Sequence, residues 1–296
     1  MKFGIVGNLS KDTLAEAVVR LLGTGEKRFV EFVVHDEIAK AVNKAAGKRV
    51  IQKKFTAPLD EVASDCDMMI AFGGDGTILS VARLVGRVAV PILGVNLGKL
   101  GFLAELSVDE VESFVDDILN NQHVVVERMV VKVTAEEHDV QFFGVNDIVI
   151  DKSNSSRVID METFVNNDYL MTYRGDGLII STPTGSTGYS LATGGPIVVP
   201  NTDVLTISPI CPHTLTARSV IVPDSSIVRV HIESDLQNVR LTADGQQEKM
   251  LTPPVNFLIQ KADYTVKLVK RKDKSYYDVL RSKLMWGKDI RVAKVD

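Results

Sequence analysis

Apolar residues in the first part of the chain come in short unbroken runs separated by stretches with helical spacing. Phe3 to Gly7 is such a run and ends in the turn Gly7-Asn8. Ser10 to Leu22 then reads as a capped helix, Phe29 to Val34 as extended, and Glu37 to Ala46 as helical. Unbroken apolar runs bounded by turns are the mark of strands buried on both faces, and their alternation with helices argues a parallel sheet. Met68-Met69-Ile70-Ala71-Phe72 repeats the signal and stops at Gly73-Gly74-Asp75-Gly76-Thr77, after which Ile78 to Val85 is helical. Pro91 to Asn96 is a further strand; it runs into Leu97-Gly98-Lys99-Leu100-Gly101-Phe102-Leu103, and Asp109 to Leu119 closes the region as a helix.

From about His123 the pattern changes. Val124-Val125-Val126 and Val130-Val131-Lys132-Val133 are β-branched runs with polar residues between them, a spacing that predicts hairpins. This β-rich texture continues to about Val269, and Ser275 to Met285 reads as a final helix. The expected organisation is an α/β domain over residues 1–122 and a β-rich domain over 123–269, with residues 270–296 returning to pack on the first. No repeat, low-complexity tract or Pro-rich linker marks the boundary, so it rests on the change of periodicity alone.

Composition supports two domains: 296 residues with 45% hydrophobic content can bury more than one small core. The 34 basic and 38 acidic residues leave a net charge of -4, which gives nucleic acid or an anionic membrane no basic face to select. The basic run Lys270-Arg271-Lys272 reads as a solvated turn, and Trp286 as a packing anchor. Cys66 and Cys211 lack the paired spacing of a zinc or redox site, the N-terminal run reads as a strand and not a signal peptide, and no apolar run nears a membrane span. A soluble, cytoplasmic protein is expected.

The loop at 73–77 is the first candidate for chemistry. Glycines leaving a buried strand let backbone N–H groups approach a ligand that a Cβ would keep away, and a helix N-terminus adds positive potential. That suits phosphate. An aspartate among such amides opposes phosphate binding unless it holds a metal or takes a proton from an attacking hydroxyl, the two tasks of phosphoryl transfer. On these residues alone, an N-cap aspartate in a glycine turn is an equal reading.

A second constellation, Asp176 to Ser190 followed by Gly194-Gly195-Pro196, is dense in hydroxyls and glycines. Small hydroxyl residues can bond ribose and base edges, and Tyr189 offers a flat face to a purine; a polar hairpin turn with a half-buried tyrosine is the plainer alternative. Asp147, ahead of Ile148-Val149-Ile150, also reads as an ordinary acid at a strand start.

Taken in order, these motifs resemble the NAD kinase family. The loop at 73–77 is similar to its first motif, with Leu93 to Gly98 and Leu100 to Leu103 at the expected distance. Asn146-Asp147 is similar to the second, and the stretch from Asp176 to Pro196 to its most diagnostic one; Ile210 to Leu215 and Asp244-Gly245-Gln246 continue the match. The glycine-aspartate loop alone would also fit lipid kinases and phosphofructokinases. Gly188, where the family more often has alanine, and Thr193 depart from the pattern.

The resemblance implies a Rossmann-like N-terminal domain and a C-terminal β-sandwich, NAD bound in a cleft between them, and a homodimer or homotetramer. It implies Asp75 as the proton acceptor for the adenosine 2′-hydroxyl, with Gly74, Gly76 and Thr77 shaping the phosphate loop. Asn146 and Asp147 would bind the adenosine part of NAD. Thr187, Gly188, Tyr189, Ser190, Leu191 and Ala192 would complete the adenine pocket, while Arg157, Arg174, Asp176 and Gln246 would line the dinucleotide site. The implied reaction moves the γ-phosphoryl group of ATP, or of another donor such as polyphosphate, to NAD with a divalent ion, expected to be magnesium; the metal ligands are not assigned. The competing readings are a lipid-directed kinase of the same loop type and a silent dinucleotide-binding regulator.

Overall fold

The computed structural model describes residues 1–98, 101–234 and 237–286; Lys99 and Leu100 of the second glycine motif, and the end of the expected returning segment, lie outside these residues. Two compact units are present, one of residues 1–126 together with the chain from Lys267 on, the other Glu127–Val266.

In the first unit the chain alternates as the apolar runs predict: β1 (Lys2–Gly7), α1 (Leu14–Arg28), β2 (Glu31–His35), α2 (Asp36–Ala45), β3 (Thr56–Ala57), α3 (Leu59–Ser64), β4 (Met68–Phe72), α4 (Asp75–Val85), β5 (Ile92–Asn96), β6 (Leu106–Ser107) and α5 (Val111–Leu119). The strands pair in parallel in the order β3-β2-β1-β4-β5. Every residue of β4 and β5 is buried, as continuous apolar runs require. Phe3, Ile5, Ile70, Phe72, Leu93 and Val95 pack with helix residues such as Leu21, Val42 and Phe114 in one core. The first helix starts later than its serine suggests. Ser10 spends its N–H and hydroxyl on the Asn8 side chain, at 2.9 and 2.8 Å, and so does not cap. Phe29, expected in a strand, has a φ of 55° and ends the preceding helix instead.

The second unit is a β-sandwich. Its chain order is β7 (His123–Ala135, shared with the first unit), β8 (Val140–Gly144), β9 (Asp147–Asp151), β10 (Ile159–Val165), β11 (Asp168–Gly175), β12 (Gly177–Ser181), the short α6 (Tyr189–Ala192), β13 (Val204–Ile210), β14 (Val220–Pro223), β15 (Val228–Ile232), β16 (Val239–Ala243), β17 (Gln247–Leu251) and β18 (Val255–Arg271). One sheet runs β14-β13-β12-β9-β16-β17; the other joins β11-β10-β15-β18 with β7 and β8. Ile148, Leu178 and Ile180 of the first sheet meet Met161, Val230 and Phe257 of the second in a shared core.

Several sequence expectations change here. The two valine runs after His123 are not two strands but one, β7, of 13 residues. The polar residues between them are not a turn: Glu127 accepts the hydroxyl of Thr265 across the sheet at 3.0 Å. Lys270 is no solvated turn residue either. It lies in β18, whose Leu268 pairs with Ile92 of β5, and is only 8% exposed. α7 (Tyr276–Leu284) follows with a capping box of Ser275 and Asp278, but Trp286 beyond it is half-exposed and anchors no core. Among the described residues no helix is long and apolar enough to cross a membrane.

Candidate active site

In the first unit, β4 delivers the chain into the glycine loop. The N–H of Gly73 donates to the carbonyl of Val95 at 2.8 Å, which ties the loop to β5. Gly73 has no room for a side chain, since a Cβ would fall 2.1 Å from Thr77 Oγ1. Gly74 is different. It is the N-cap of α4 at a φ of -96°, and a Cβ there would meet nothing within 4 Å. The fold does not need glycine at 74; the space it leaves opens on a cleft of about 570 Å³ lined by Gly74, Gly76 and Thr77 together with Asn8, Lys11 and His35. The His35 imidazole has its pKa lowered, chiefly by burial, with the nearby Glu37 and Asp36 acting in the opposite sense.

Asp75 begins α4 and turns its carboxylate away from that helix onto the segment that follows β5. Phe102 N–H donates to Oδ2 at 2.8 Å, while Leu103 and Ala104 N–H donate to Oδ1 at 3.0 and 3.1 Å. Gly101 is obligatory for this approach, because a Cβ there would lie 1.8 Å from Asp75 Oδ1. A carboxylate has about four lone-pair directions, so these donors leave capacity for one more bond. Behind the segment, Lys270 Nζ donates to the carbonyl of Leu103 at 3.3 Å and pairs with Glu105 at 2.5 Å.

In the second unit the chemistry-bearing residues gather where β8 turns into β9. The carboxylate of Asp244 accepts the N–H groups of Val145, Asn146 and Asp147 at 2.9, 2.7 and 3.1 Å. From the other side Thr182 donates its N–H to the Asn146 carbonyl at 2.9 Å and its hydroxyl to the Val145 carbonyl at 2.5 Å. Gly185 lies so close that a Cβ would fall 2.1 Å from the Asn146 carbonyl oxygen. The glycines and hydroxyls of 182–188 thus form a brace for Asn146 and Asp147. Asp147 is 5% exposed, and burial first, then the Asp244 charge, pushes its pKa up to about 7.

Residues 3–124 match the ATP-NAD kinase N-terminal domain and residues 145–271 the ATP-NAD kinase C-terminal domain. The chain belongs to the ATP-NAD kinase family. The NAD kinase of Geotalea daltonii is 42% identical over 271 residues, covering 90% of this chain and 95% of that protein. That of Bacteroides fragilis is 38% identical over 294 residues, 99% of this chain and all of the other. In fold the chain resembles a yeast NADH kinase complexed with NADH (TM-score 0.88, 24% identity, 99% of this chain and 90% of that one). It also resembles an NAD kinase from Archaeoglobus fulgidus in complex with ATP (TM-score 0.75, 23% identity, 96% and 99%).

Of the residues that the ATP-NAD kinase resemblance singles out, the structure brings Asn146, Asp147 and Gly188 together. A Cβ at Gly188 would stand 3.6 Å from Asn146 Nδ2 and 3.8 Å from Asp147 Oδ2. Thr187 donates its hydroxyl to the Thr184 carbonyl at 3.3 Å. In α6, Ser190 is buried and shares a hydrogen bond with Ser208 at 3.2 Å, while Leu191 and Ala192 lead to the turn at Gly194. Tyr189 keeps nearly half its surface exposed, with a phenol whose pKa is raised by burial and by Asp151. Gln246 sits with Asp244 in the β16–β17 turn. Asp176 pairs with Lys152 at 2.7 Å at the end of β12 remote from Ser181, Arg174 faces Asp160 across the β10–β11 ladder at 3.7 Å, and Arg157 stands exposed after the turn at 152–155.

Sequence reasoning missed three residues. In sequence Asp244 stands only as part of a motif, although it organises the Asn146-Asp147 turn. Lys270 reads there as solvated. Thr184, only 7% exposed, has a hydroxyl with no hydrogen-bond partner among the described residues, within the brace under Asn146. Only this last was hinted at, by the density of hydroxyls around it.

Proposed function

We infer that this chain is an NAD kinase that transfers the γ-phosphoryl group of ATP, or of another phosphoryl donor, to the 2′-hydroxyl of the adenosine ribose of NAD. The observation that carries the reading is the Asp75 carboxylate, fixed by the N–H groups of Phe102 to Ala104 at the mouth of a glycine loop in a chain that matches both domains of the family. Gly74, Gly76 and Thr77 receive the donor phosphates at the positive end of α4, in the space that the bare Gly74 leaves. Asn146 and Asp147 hold the adenosine of NAD, the carboxylate on ribose hydroxyls and the amide on the base. Thr187 to Ala192 complete that pocket, with Arg157, Arg174, Asp176 and Gln246 along the remainder of the dinucleotide. Asp75 takes the proton of the attacking hydroxyl through the one bonding direction that its backbone donors leave.

Among the described residues no group of three or more His, Cys, Asp or Glu side chains is placed to hold a metal. We expect the divalent ion to be magnesium, which would arrive on the donor phosphates and keep most of its ligands from them and from water. Bound there, it would neutralise charge on the transferred group. A homodimer or homotetramer in the cytoplasm completes the reading.

The test is NADP formation by the purified chain supplied with NAD, ATP and magnesium, with Asp75→Asn beside it. The variant is expected to bind NAD normally and to lose about a hundredfold in turnover, the usual scale of a lost general base. Near-normal turnover by Asp75→Asn would remove the assignment.

A further inference from the structure

We propose that Lys270 is a positioning residue for Asp75, acting through the single peptide group that joins Leu103 to Ala104. The inference rests on the reading of Asp75 as the proton acceptor. The carbonyl of Leu103 accepts from Lys270 Nζ at 3.3 Å, and the N–H of Ala104, which belongs to the same peptide plane, donates to Asp75 Oδ1 at 3.1 Å. The ammonium therefore sits at the negative end of a peptide dipole and the carboxylate at its positive end, so both charges favour one orientation of the plane. Lys270 is only 8% exposed, and at low local dielectric such a chain of charge, dipole and charge is stronger than its parts would be in water.

The alternative is that Lys270 and Glu105 simply stabilise the fold. Buried ion pairs are poor at that, because the cost of desolvating two charges is offset only when every remaining hydrogen-bonding site is filled. Here it is not. With side chains 9% and 11% exposed, the pair leaves Glu105 Oε2 buried without a partner among the described residues. An apolar pair of similar volume would serve the core equally well; it would not hold the Leu103 carbonyl. The strand placement is equally pointed. β18 continues past Leu268, which pairs with Ile92, and so brings Lys270 behind the segment that Gly101 lets approach Asp75.

Without the ammonium, the Leu103–Ala104 plane is free to tilt, and with it the remaining lone pair of Asp75. Misplacement of a reacting group by about an ångström costs on the order of a hundredfold in rate. The decisive protein is Lys270→Met/Glu105→Gln, which removes the cation without stranding a buried charge. It is expected to fold, to bind NAD and ATP with Kd values within about twofold of the parent, and to lose at least about tenfold in kcat. Glu105→Gln alone leaves the ammonium on the Leu103 carbonyl with an amide oxygen in place of the carboxylate. It is expected to lose stability, because the buried cation loses its counter-charge, while holding kcat within about threefold. Lys270→Arg is expected to recover part of the loss of the double variant. A double variant with the parent kcat, or a Glu105→Gln variant as slow as the Lys270 variants, would overturn the proposal. If the double variant does not fold, the Glu105→Gln and Lys270→Arg proteins decide by the same criteria. Asp75→Asn distinguishes the two levels: its turnover surviving sinks the base assignment, whereas its collapse beside normal Lys270 variants sinks this inference alone.

Discussion

Asp147 and Asp244 bind each other twice: the N–H of Asp147 donates to the carboxylate of Asp244 at 3.1 Å, and the N–H of Asp244 returns a bond to the carbonyl of Asp147 at 3.0 Å. Asp244 sits at a positive φ of 53°, in the turn between β16 and β17, which lets one carboxylate collect the N–H groups of Val145 to Asp147. Asp244→Asn keeps the shape and removes the charge. It is expected to cost about 2 kcal/mol of stability, the scale of hydrogen bonds to a charged acceptor. KM for NAD should rise about tenfold with kcat little changed, as expected when uniform binding is lost. Steady-state kinetics in both substrates and denaturant unfolding check this.

Asp147 gives the molecule a pH dependence with a fixed sign. Its folded pKa of about 7 lies above the ordinary 3.8 of the free side chain, so the folded state holds a proton that the unfolded chain releases. Its contribution to stability is complete below about pH 4 and is lost as pH rises to about 7. Asp147→Asn should lack this decline in a series of thermal midpoints. Ribose hydroxyls donate to an ionised carboxylate, so KM for NAD should fall as pH rises through about 7, and stay flat in the variant.

Two glycines of the site should respond in opposite ways. Gly101→Ala forces a methyl group onto Asp75 Oδ1 and should cost about 1–3 kcal/mol, as overpacking does, together with most of the turnover. Gly74→Ala meets open space and should leave the melting temperature unchanged while raising KM for the donor several-fold, on the order of the few-fold to tenfold loss of a blocked contact. Equal destabilisation by both would mean that Gly74 serves the fold.

Thr184→Val removes a buried hydroxyl that has no hydrogen-bond partner among the described residues. Removing an unsatisfied polar group at constant shape is neutral or stabilising. Unchanged or higher stability with weaker NAD binding by calorimetry is the expected result; unchanged affinity would show that no ligand uses the hydroxyl.

Much of this was legible beforehand, for identifiable reasons. The strands β4 and β5 and the glycine loop between β4 and α4 are local signals, written in unbroken apolar runs and in a cluster of glycines. The Asn146-Asp147 pair was legible as a motif but not as a structure, because its organiser lies almost a hundred residues further on, at Asp244. Lys270 was illegible for the same reason: its partner Glu105 is 165 positions away, and a basic run near a chain end resembles a solvated turn until that partner is known. β7 was split in two because Glu127 and Arg128 look like a turn when the cross-strand hydroxyl of Thr265 is out of sight.

The donors that hold Asp75 are main-chain groups, and this shifts where sequence change is tolerated. Any residue except proline supplies an N–H, so the side chains of Phe102, Leu103 and Ala104 do not themselves make the bonds to the carboxylate; at the buried Leu103 and Ala104 only packing limits exchange. The constraint falls instead on positions at either side, on Gly101 for its missing Cβ and on Lys270 for its charge. A library randomised at the half-buried position 102 should therefore yield many active proteins, whereas one randomised at 101 and 270 should yield few. The segment over Asp75 is in this sense a place where drift, or a designer, can alter the surroundings of the carboxylate while leaving it where it is.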